Sequence, residues 1–433
     1  MSDNGKRQVH LNLFIFGCGH HNAAWRSPGS SVERLGDIRY YEELARIAES
    51  GALDAVFFAD GQSLRADSAE RSPTWFLEPL TTLAAMARAT SNIGLVSTVS
   101  SSFYTPFHAA RLLASLDHIS SGRVGWNVVT SMFDAEARNH GMDGLPAHAE
   151  RYARAEEFID AVQALWDSWP SDSILTDREG KYLDASMIRP VDHNGEHFSV
   201  AGPLNVPQPP QGRPVLFQAG ASDPGRNLAA RRAEGIYAVA YDIEQGREYR
   251  ADVRARAEAN GRDPDDLVVM PGLVTYVGRT MEEAERKRDR LDELLPVEAS
   301  LAQLGGFIHR DCSDWVLDER VPELAPIEEF TGPQGRYATI LRIIDVERPT
   351  VRQLLGRLAA GGGHCTMVGT PETIADRIEE WLDGGAADGF NLMPPQLPDS
   401  LTDFVELVVP ELRRRGRFRE AYASSTLRGN LAD

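Results

Sequence analysis

Short apolar runs alternate with longer amphipathic stretches along most of the chain. Eight runs stand out: LNLFIF (11–16), AVFFA (55–59), IGLVST (93–98), RVGWNVVT (123–130), VLFQAG (215–220), GIYAVA (235–240), LVVMPGLVTYVG (267–278) and GFNLMP (389–394). Each is continuously apolar rather than alternating, which predicts strands covered on both faces, as in a parallel sheet. Between them DIRYYEELARIAESG, FLEPLTTLAAMARAT, PFHAARLLASLDHIS and HAERYARAEEFIDAVQALWDSW repeat apolar residues at three- and four-residue spacing, as amphipathic helices do. The first of these opens on Asp37 as an N-cap and ends at Gly51, which suits a C′ position. Eight strands, each followed by a helix, predict an α/β fold of the (β/α)8 TIM-barrel type. No GxGxxG turn follows the first strand, which argues against an open dinucleotide-binding sheet.

Two stretches interrupt the pattern. Residues 170–212, after the fourth helix, are rich in Pro, Gly and Asp and read as a small hairpin with loops. Residues 306–348, before the last strand, show little helical periodicity. Loops of this length in a compact fold are lids, binding loops or oligomer contacts. The expectation is one barrel domain over 1–433 carrying these two insertions, with a polar, frayed tail at 413–433.

Composition narrows the function. Apolar residues make up 42% and charged residues 25% of the chain, which excludes disorder as a description of the whole. The formal charge of −19 repels phosphate backbones and anionic membranes, so neither nucleic acid nor membrane is an expected partner. Cys18, Cys312 and Cys365 lie far apart, with no CxxC, and suit a reducing cytosol. The first apolar run has six residues, too few for a secretory segment, and none approaches the roughly 20 residues of a membrane span. A cytoplasmic protein is expected.

In a barrel the chemistry sits where the strands end. The first run leads to His20, His21, Trp25 and Arg26, the second to Asp60, and the third to Thr98, Ser100, Ser101, Ser102 and Tyr104. The fourth supplies Asn127, Thr130 and Ser131, and the helix after it opens with His148, Arg151 and Tyr152. After the fifth come Gly220, Ala221 and Ser222, then Asp223 as a cap and Pro224 at the first helical position. Small residues before a helix N-terminus let an anion reach free N–H groups. A tight βα turn built from small residues is the alternative. Asn127, a polar amide on an apolar strand, can donate and accept at once, matching a ring edge that carries C=O and N–H groups. A hydrogen bond across the barrel mouth is the competing reading. His20 and His21 are adjacent, so their side chains point apart and shared metal ligation is disfavoured. One of them lining a cleft as a proton donor is preferred. Arg26 suits a substrate carboxylate and equally a surface ion pair.

The strings GHHNAAWR, FFADG, STVSSSFYTPFHAARLLASLDHISSGRVGWNVVTS, HAERYARAEEF, QAGASDPGRNLAARRAE and VGTPETIADRIEEWLDGGAADGFNL follow one another from residue 11 to about 410. In this order they resemble the flavin-dependent monooxygenases of the bacterial-luciferase-like superfamily. The branch is that of nitrilotriacetate and EDTA monooxygenases, dibenzothiophene sulfone monooxygenase and pristinamycin synthase. The resemblance implies a (β/α)8 barrel holding FMN at its C-terminal face, used as FMNH2 supplied by a separate NAD(P)H:flavin reductase. It implies Asp60, Thr98 and Asn127 at the isoalloxazine, and Thr130, Ser131, His148, Tyr152, Gly220, Ala221 and Ser222 along the ribityl chain and phosphate. His20 stands near the reacting face, and His309, in the 306–348 segment, is a second catalytic candidate. The implied reaction oxygenates a small organic substrate with O2, beside nitrogen or sulfur with C–N or C–S cleavage, in a homodimer or homotetramer. Rival readings are a deazaflavin (F420) oxidoreductase of the same fold, a non-catalytic flavin-binding protein and a metal-dependent barrel hydrolase.

Overall fold

The structure is a computed structural model and describes residues 7–64, 69, 73, 75, 77–330 and 334–432. Eight parallel strands close a barrel: β1 (His10–Phe14), β2 (Ala55–Phe58), β3 (Gly94–Ser100), β4 (Val124–Val129), β5 (Val215–Gln218), β6 (Gly235–Ala238), β7 (Val268–Val277) and β9 (Gly389–Leu392). All eight apolar runs supply a barrel strand, so the expected TIM-barrel fold is the observed one. Closure is made by β9, which pairs with β1 from His10↔Gly389 to Leu13↔Leu392 and with β7 at Asn391↔Gly272 and Leu392↔Leu273.

A further strand, β8 (Cys365–Gly369), was not expected. It pairs with the upper half of β7, from Cys365↔Leu273 to Gly369↔Val277, above the point where β6 ends at Ala238. The five residues CTMVG follow a glycine run and carry too little apolar pattern to stand out. β7 is ten residues long because its lower half closes the barrel while its upper half pairs with β8.

Helices α1 (Ile38–Ser50), α2 (Pro79–Ala89), α3 (Pro106–Ser120), α4 (His148–Trp166), α5 (Asp223–Arg232) and α6 (Ile243–Ala259) cover the first six strands. Asp37 caps α1 as expected, its carboxylate accepting from the Arg39 N–H. Gly51 has an ordinary helical φ of −78°, and it is Ala52, at φ 58°, that turns left-handed. Glycine is needed at 51 for space instead: a Cβ there would sit 2.9 Å from Leu53 and 3.0 Å from Val405.

The first insertion holds the expected hairpin, His193–Asn194 against Ser199–Val200. After β7 come α7 (Met281–Glu293), α8 (Val297–Ile308), α9 (Gln334–Glu347) and α10 (Val351–Ala359), while α11 (Pro371–Asp383) follows β8. The second insertion thus contains a 14-residue helix, α9, that its weak periodicity did not predict, beside loop segments. Leu304, Ile308, Cys312, Trp315, Tyr337 and Ile340 form an apolar cluster of its own. That local core stabilises α9, whose own sequence carries little amphipathic period. The insertion is anchored to the loop after β6, where Arg342 pairs with Asp242 and Glu244 and the Tyr241 hydroxyl donates to Glu347.

The tail is the largest departure. Arg417, Phe418 and Arg419 are buried, and α12 (Leu427–Leu431) plugs the bottom of the barrel. Leu427 and Leu431 pack with Val96, Phe217, Tyr237 and Met270 in the interior. A Cβ at Gly94 would lie 2.5 Å from Leu427, so that glycine makes room for the plug. Two apolar residues in a polar stretch are too few to show periodicity, and their burial is decided by the open barrel end. Among the described residues no helix is long and apolar enough to cross a membrane.

Candidate active site

A cavity of about 740 Å³ opens at the C-terminal mouth of the barrel. Its floor is made by the register of the strands. β3 and β4 pair Thr98 directly with Asn127, and the Asn127 amide donates to the Thr98 hydroxyl at 3.0 Å. The Asn127 carbonyl oxygen is buried without a partner. Asn391, on β9, also keeps a buried carbonyl oxygen unpaired. A buried acceptor left unsatisfied costs roughly 1–3 kcal/mol, so these atoms await donors from something that enters the mouth. Phe14 and Tyr237 supply apolar walls.

Asp60 stands at the end of β2, accepting from the Gln62 amide at 2.9 Å. Burial, opposed by that hydrogen bond, and the nearby Glu78 and Glu136 carboxylates raise its pKa above the ordinary aspartate value. Glu136 closes the same side: it accepts from the backbone of Gln62, Met132 and Phe133 at 3.1–3.2 Å and holds the β4 loop in place. The serine run after β3 has the same supporting task. Ser101 and Ser102 donate to the carbonyls of Val129 and Thr130, and Ser100 bonds Ser131 at 2.8 Å. Ser131 is thereby kept left-handed at φ 59°.

The opposite end of the cavity is the start of α5. Ser222, rather than Asp223, is the N-cap: its hydroxyl accepts from the Gly225 N–H at 3.3 Å and contacts the Tyr152 hydroxyl at 3.5 Å. Asp223 is the first helical residue and points out to pair with Arg256. Gly220 and Gly225 approach so closely that a Cβ on Gly220 would lie 2.7 Å from the Gly225 Cα. His148 packs 5.0 Å from the Tyr152 ring. Arg151 donates to the Ser131 carbonyl through Nη1 and keeps a buried Nε without partner. Free N–H groups, hydroxyls and a guanidinium thus converge on one end, with carbonyl acceptors at the other.

All ten residues expected to bind a cofactor, Asp60, Thr98, Asn127, Thr130, Ser131, His148, Tyr152, Gly220, Ala221 and Ser222, line this one cavity. The two catalytic candidates fare differently. His20 lies behind Phe14, 4.5 Å between ring centroids, and its Nε2–H donates to the Phe14 carbonyl at 3.0 Å. Burial, helped by His364, lowers its pKa to about 3, so it is neutral with Nδ1 as its free acceptor. A cationic proton donor is therefore not what this position offers. His309 does not line the cavity. It is exposed, ends α8 in a left-handed conformation at φ 53°, and packs on Phe330 at 5.0 Å.

His21 turns away from His20, as expected of neighbours. It accepts from the Ala23 N–H through Nδ1 and donates to Asp292 on α7 at 3.0 Å through Nε2. Among the described residues no three His, Cys, Asp or Glu side chains are grouped to hold a metal ion. Arg26 lies outside the cavity, stacked on Trp25 at 4.6 Å. Sequence reasoning missed His364, which precedes β8 and lines the cavity with a buried, unpartnered Nδ1. Only its position before the unrecognised strand could have revealed it.

The sequence profile of luciferase-like monooxygenases matches residues 13–388, most of the barrel. The chain belongs to this family. The monooxygenase is 44% identical over 438 residues to nitrilotriacetate monooxygenase component A of Aminobacter aminovorans, covering 98% of this chain and 96% of the relative. It is 41% identical to N-acetyl-S-(2-succino)cysteine monooxygenase of Bacillus subtilis, over 98% of this chain and 96% of that one. Among solved structures, EDTA monooxygenase from Chelativorans sp. BNC1 superposes with a TM-score of 0.83 at 35% identity, over 98% of both chains.

Proposed function

We propose that this monooxygenase is the oxygenating component of a two-component system. It takes FMNH2 from a separate NAD(P)H:flavin reductase and uses O2 to oxygenate a small organic substrate. Oxygenation at a carbon beside nitrogen or sulfur, with cleavage of the C–N or C–S bond, is the preferred outcome. The observation that carries the cofactor assignment is the unpaired Asn127 carbonyl at one end of a cavity whose other end is the α5 N-terminus.

The residues fit reduced FMN in three respects. Asn127 accepts an N–H at the flavin ring edge while Thr98 fixes its amide. Ser222, Tyr152 and Arg151 meet the phosphate beside the positive end of the α5 dipole. Gly220 and Gly225 keep the backbone low enough for the ribityl chain to pass. Reduced flavin, when bound, supplies the two electrons that split O2 between product and water. The chain's own contribution is to hold that ring against Phe14 and Tyr237 and to exclude water from the mouth. His20, neutral and hydrogen-bonded to the Phe14 carbonyl, would hold Phe14 in place behind the ring rather than exchange protons.

Anaerobic titration of the protein with photoreduced FMN, followed by mixing with oxygenated buffer, tests this reading. Saturable binding and reoxidation distinct from that of free FMN are expected. Absence of binding, with reoxidation at the free rate, would remove the oxygenase assignment.

A further inference from the structure

Beside the mouth lies a cluster that the flavin cradle leaves unused. Three consecutive glycines, Gly361, Gly362 and Gly363, precede β8 at φ values of 153°, 64° and 105°. They lead into His364, whose Nδ1 is buried and unpartnered at the cavity wall. Arg336 of α9 crosses the loop closely at Gly362. A Cβ on Gly362 would lie 3.0 Å and 3.1 Å from the two terminal nitrogens of that guanidinium. Arg336 otherwise rests on the face of Phe307, 4.6 Å from the ring centroid. Among the described residues it forms no ion pair and no hydrogen bond, in a chain with 64 acidic and 45 basic residues.

We propose that Arg336, exposed beside the Gly361–Gly363 loop, and His364, which follows that loop and lines the cavity, form a subsite for a carboxylate of the substrate, so that the substrate class is a small organic acid. This rests on the oxygenase reading of the neighbouring cavity. A guanidinium offers five donors in a rigid fork that a carboxylate matches bidentately, and here the fork is unfilled. A side chain at Gly362 would crowd that fork, since its Cβ would fall 3.0 Å from a guanidinium nitrogen. A protein of charge −19 repels an anionic substrate at long range, so such a substrate needs a local cation near the mouth. Arg336 is close enough to help burial lower the His364 pKa to about 4, which leaves a neutral imidazole able to give one N–H to the same anion. A neutral substrate would leave the Arg336 charge unmatched.

The test uses the full-length protein, with iminodiacetate and thiodiacetate as amine and thioether probes and their dimethyl esters as uncharged controls. Binding is read by calorimetry for the wild type, Arg336→Met and Arg336→Lys. Methionine keeps an apolar contact with Phe307 while removing the charge. At least one acid should bind the wild type, its ester at least 10-fold more weakly, and Arg336→Met should weaken that acid about 10- to 100-fold. Lysine should recover part of the loss, while FMN affinity and thermal midpoint stay unchanged. Equal acid affinity in wild type and Arg336→Met, equal affinity for acid and ester, or no acid binding to protein that binds FMN would each overturn the subsite. Failure of the wild type to bind reduced FMN would instead sink the oxygenase reading beneath it.

Discussion

Asn127 has its amide committed to Thr98 and its carbonyl committed to nothing. If that oxygen accepts from the flavin ring, Asn127→Ala should weaken reduced-FMN binding roughly 2- to 10-fold, the net worth of a neutral hydrogen bond. A titration curve superimposable on the wild type would remove Asn127 from the site. His20 makes the opposite kind of prediction. Its proton sits on Nε2 against the Phe14 carbonyl and burial lowers its pKa to about 3. Nitrogen-detected NMR should show His20 staying neutral, in the Nε2–H tautomer, over about pH 5 to 8, where an unperturbed imidazole titrates. Assignment of a midpoint near 6.5 to His20 would contradict the structure. These two residues also differ in legibility. Asn127 stood out because an amide interrupts an apolar run, whereas the state of His20 depends on neighbours 6 and more than 300 residues away.

Among the elements, the start of α5 combines a structural task with the binding one proposed for it. Ser222 caps the helix and meets Tyr152 at the end of the cavity. Ser222→Asp separates the two tasks, because aspartate is an equally good N-cap but adds a negative charge. The variant should keep the wild-type thermal midpoint, bind FMN at least 10-fold more weakly and bind riboflavin, which has no phosphate, almost unchanged. Loss of affinity for both flavins alike would place the phosphate elsewhere. The sequence showed this helix start through Pro224 and the small residues before it, but assigned the cap one residue late. Asp223 is as good a cap by type. Its side chain is drawn outward by Arg256 on α6, a partner that no local pattern names.

Across the molecule, the two chain ends meet under the barrel. Asp54, fully buried, accepts from Arg419 and His10, and Arg419 also donates to the Asn430 carbonyl. Burial alone would raise the Asp54 pKa, but Arg419 and His10 outweigh it and hold the carboxyl below its ordinary value. Arg419→Met strands that charge, which should cost about 3–5 kcal/mol in chemical denaturation. A loss below about 1 kcal/mol, the scale of an exposed pair, would mean that the tail does not seal the barrel. The pH dependence follows from linkage. His20 and His364 have folded pKa values of about 3 and about 4, below the ordinary 6.5, so the unfolded chain binds protons first as the solution is acidified. Stability should therefore be full above about pH 6.5 and fall steadily toward pH 4, with Asp54 adding a further loss at more acidic pH. Calorimetric midpoints that stay level across this range would show that the two imidazoles are not buried neutral.

Apolar patterning and chain order were enough for the barrel and most of the cavity. Strands buried on both faces must be continuously apolar, so eight runs could be read one at a time. The ten expected residues that line the mouth sit at the ends of those runs or at the starts of the helices after them, where chain order puts them. Whatever depended on distant partners was settled by the folded arrangement. β8 exists because β7 outlasts β6 and leaves an edge to be paired, and α9 is held by an apolar cluster gathered from four separate stretches. The polar tail is ordered because the barrel has an open end that two leucines can fill. His364 and Arg336 come together only through β8 and α9, so the subsite they form could not be read before both were placed.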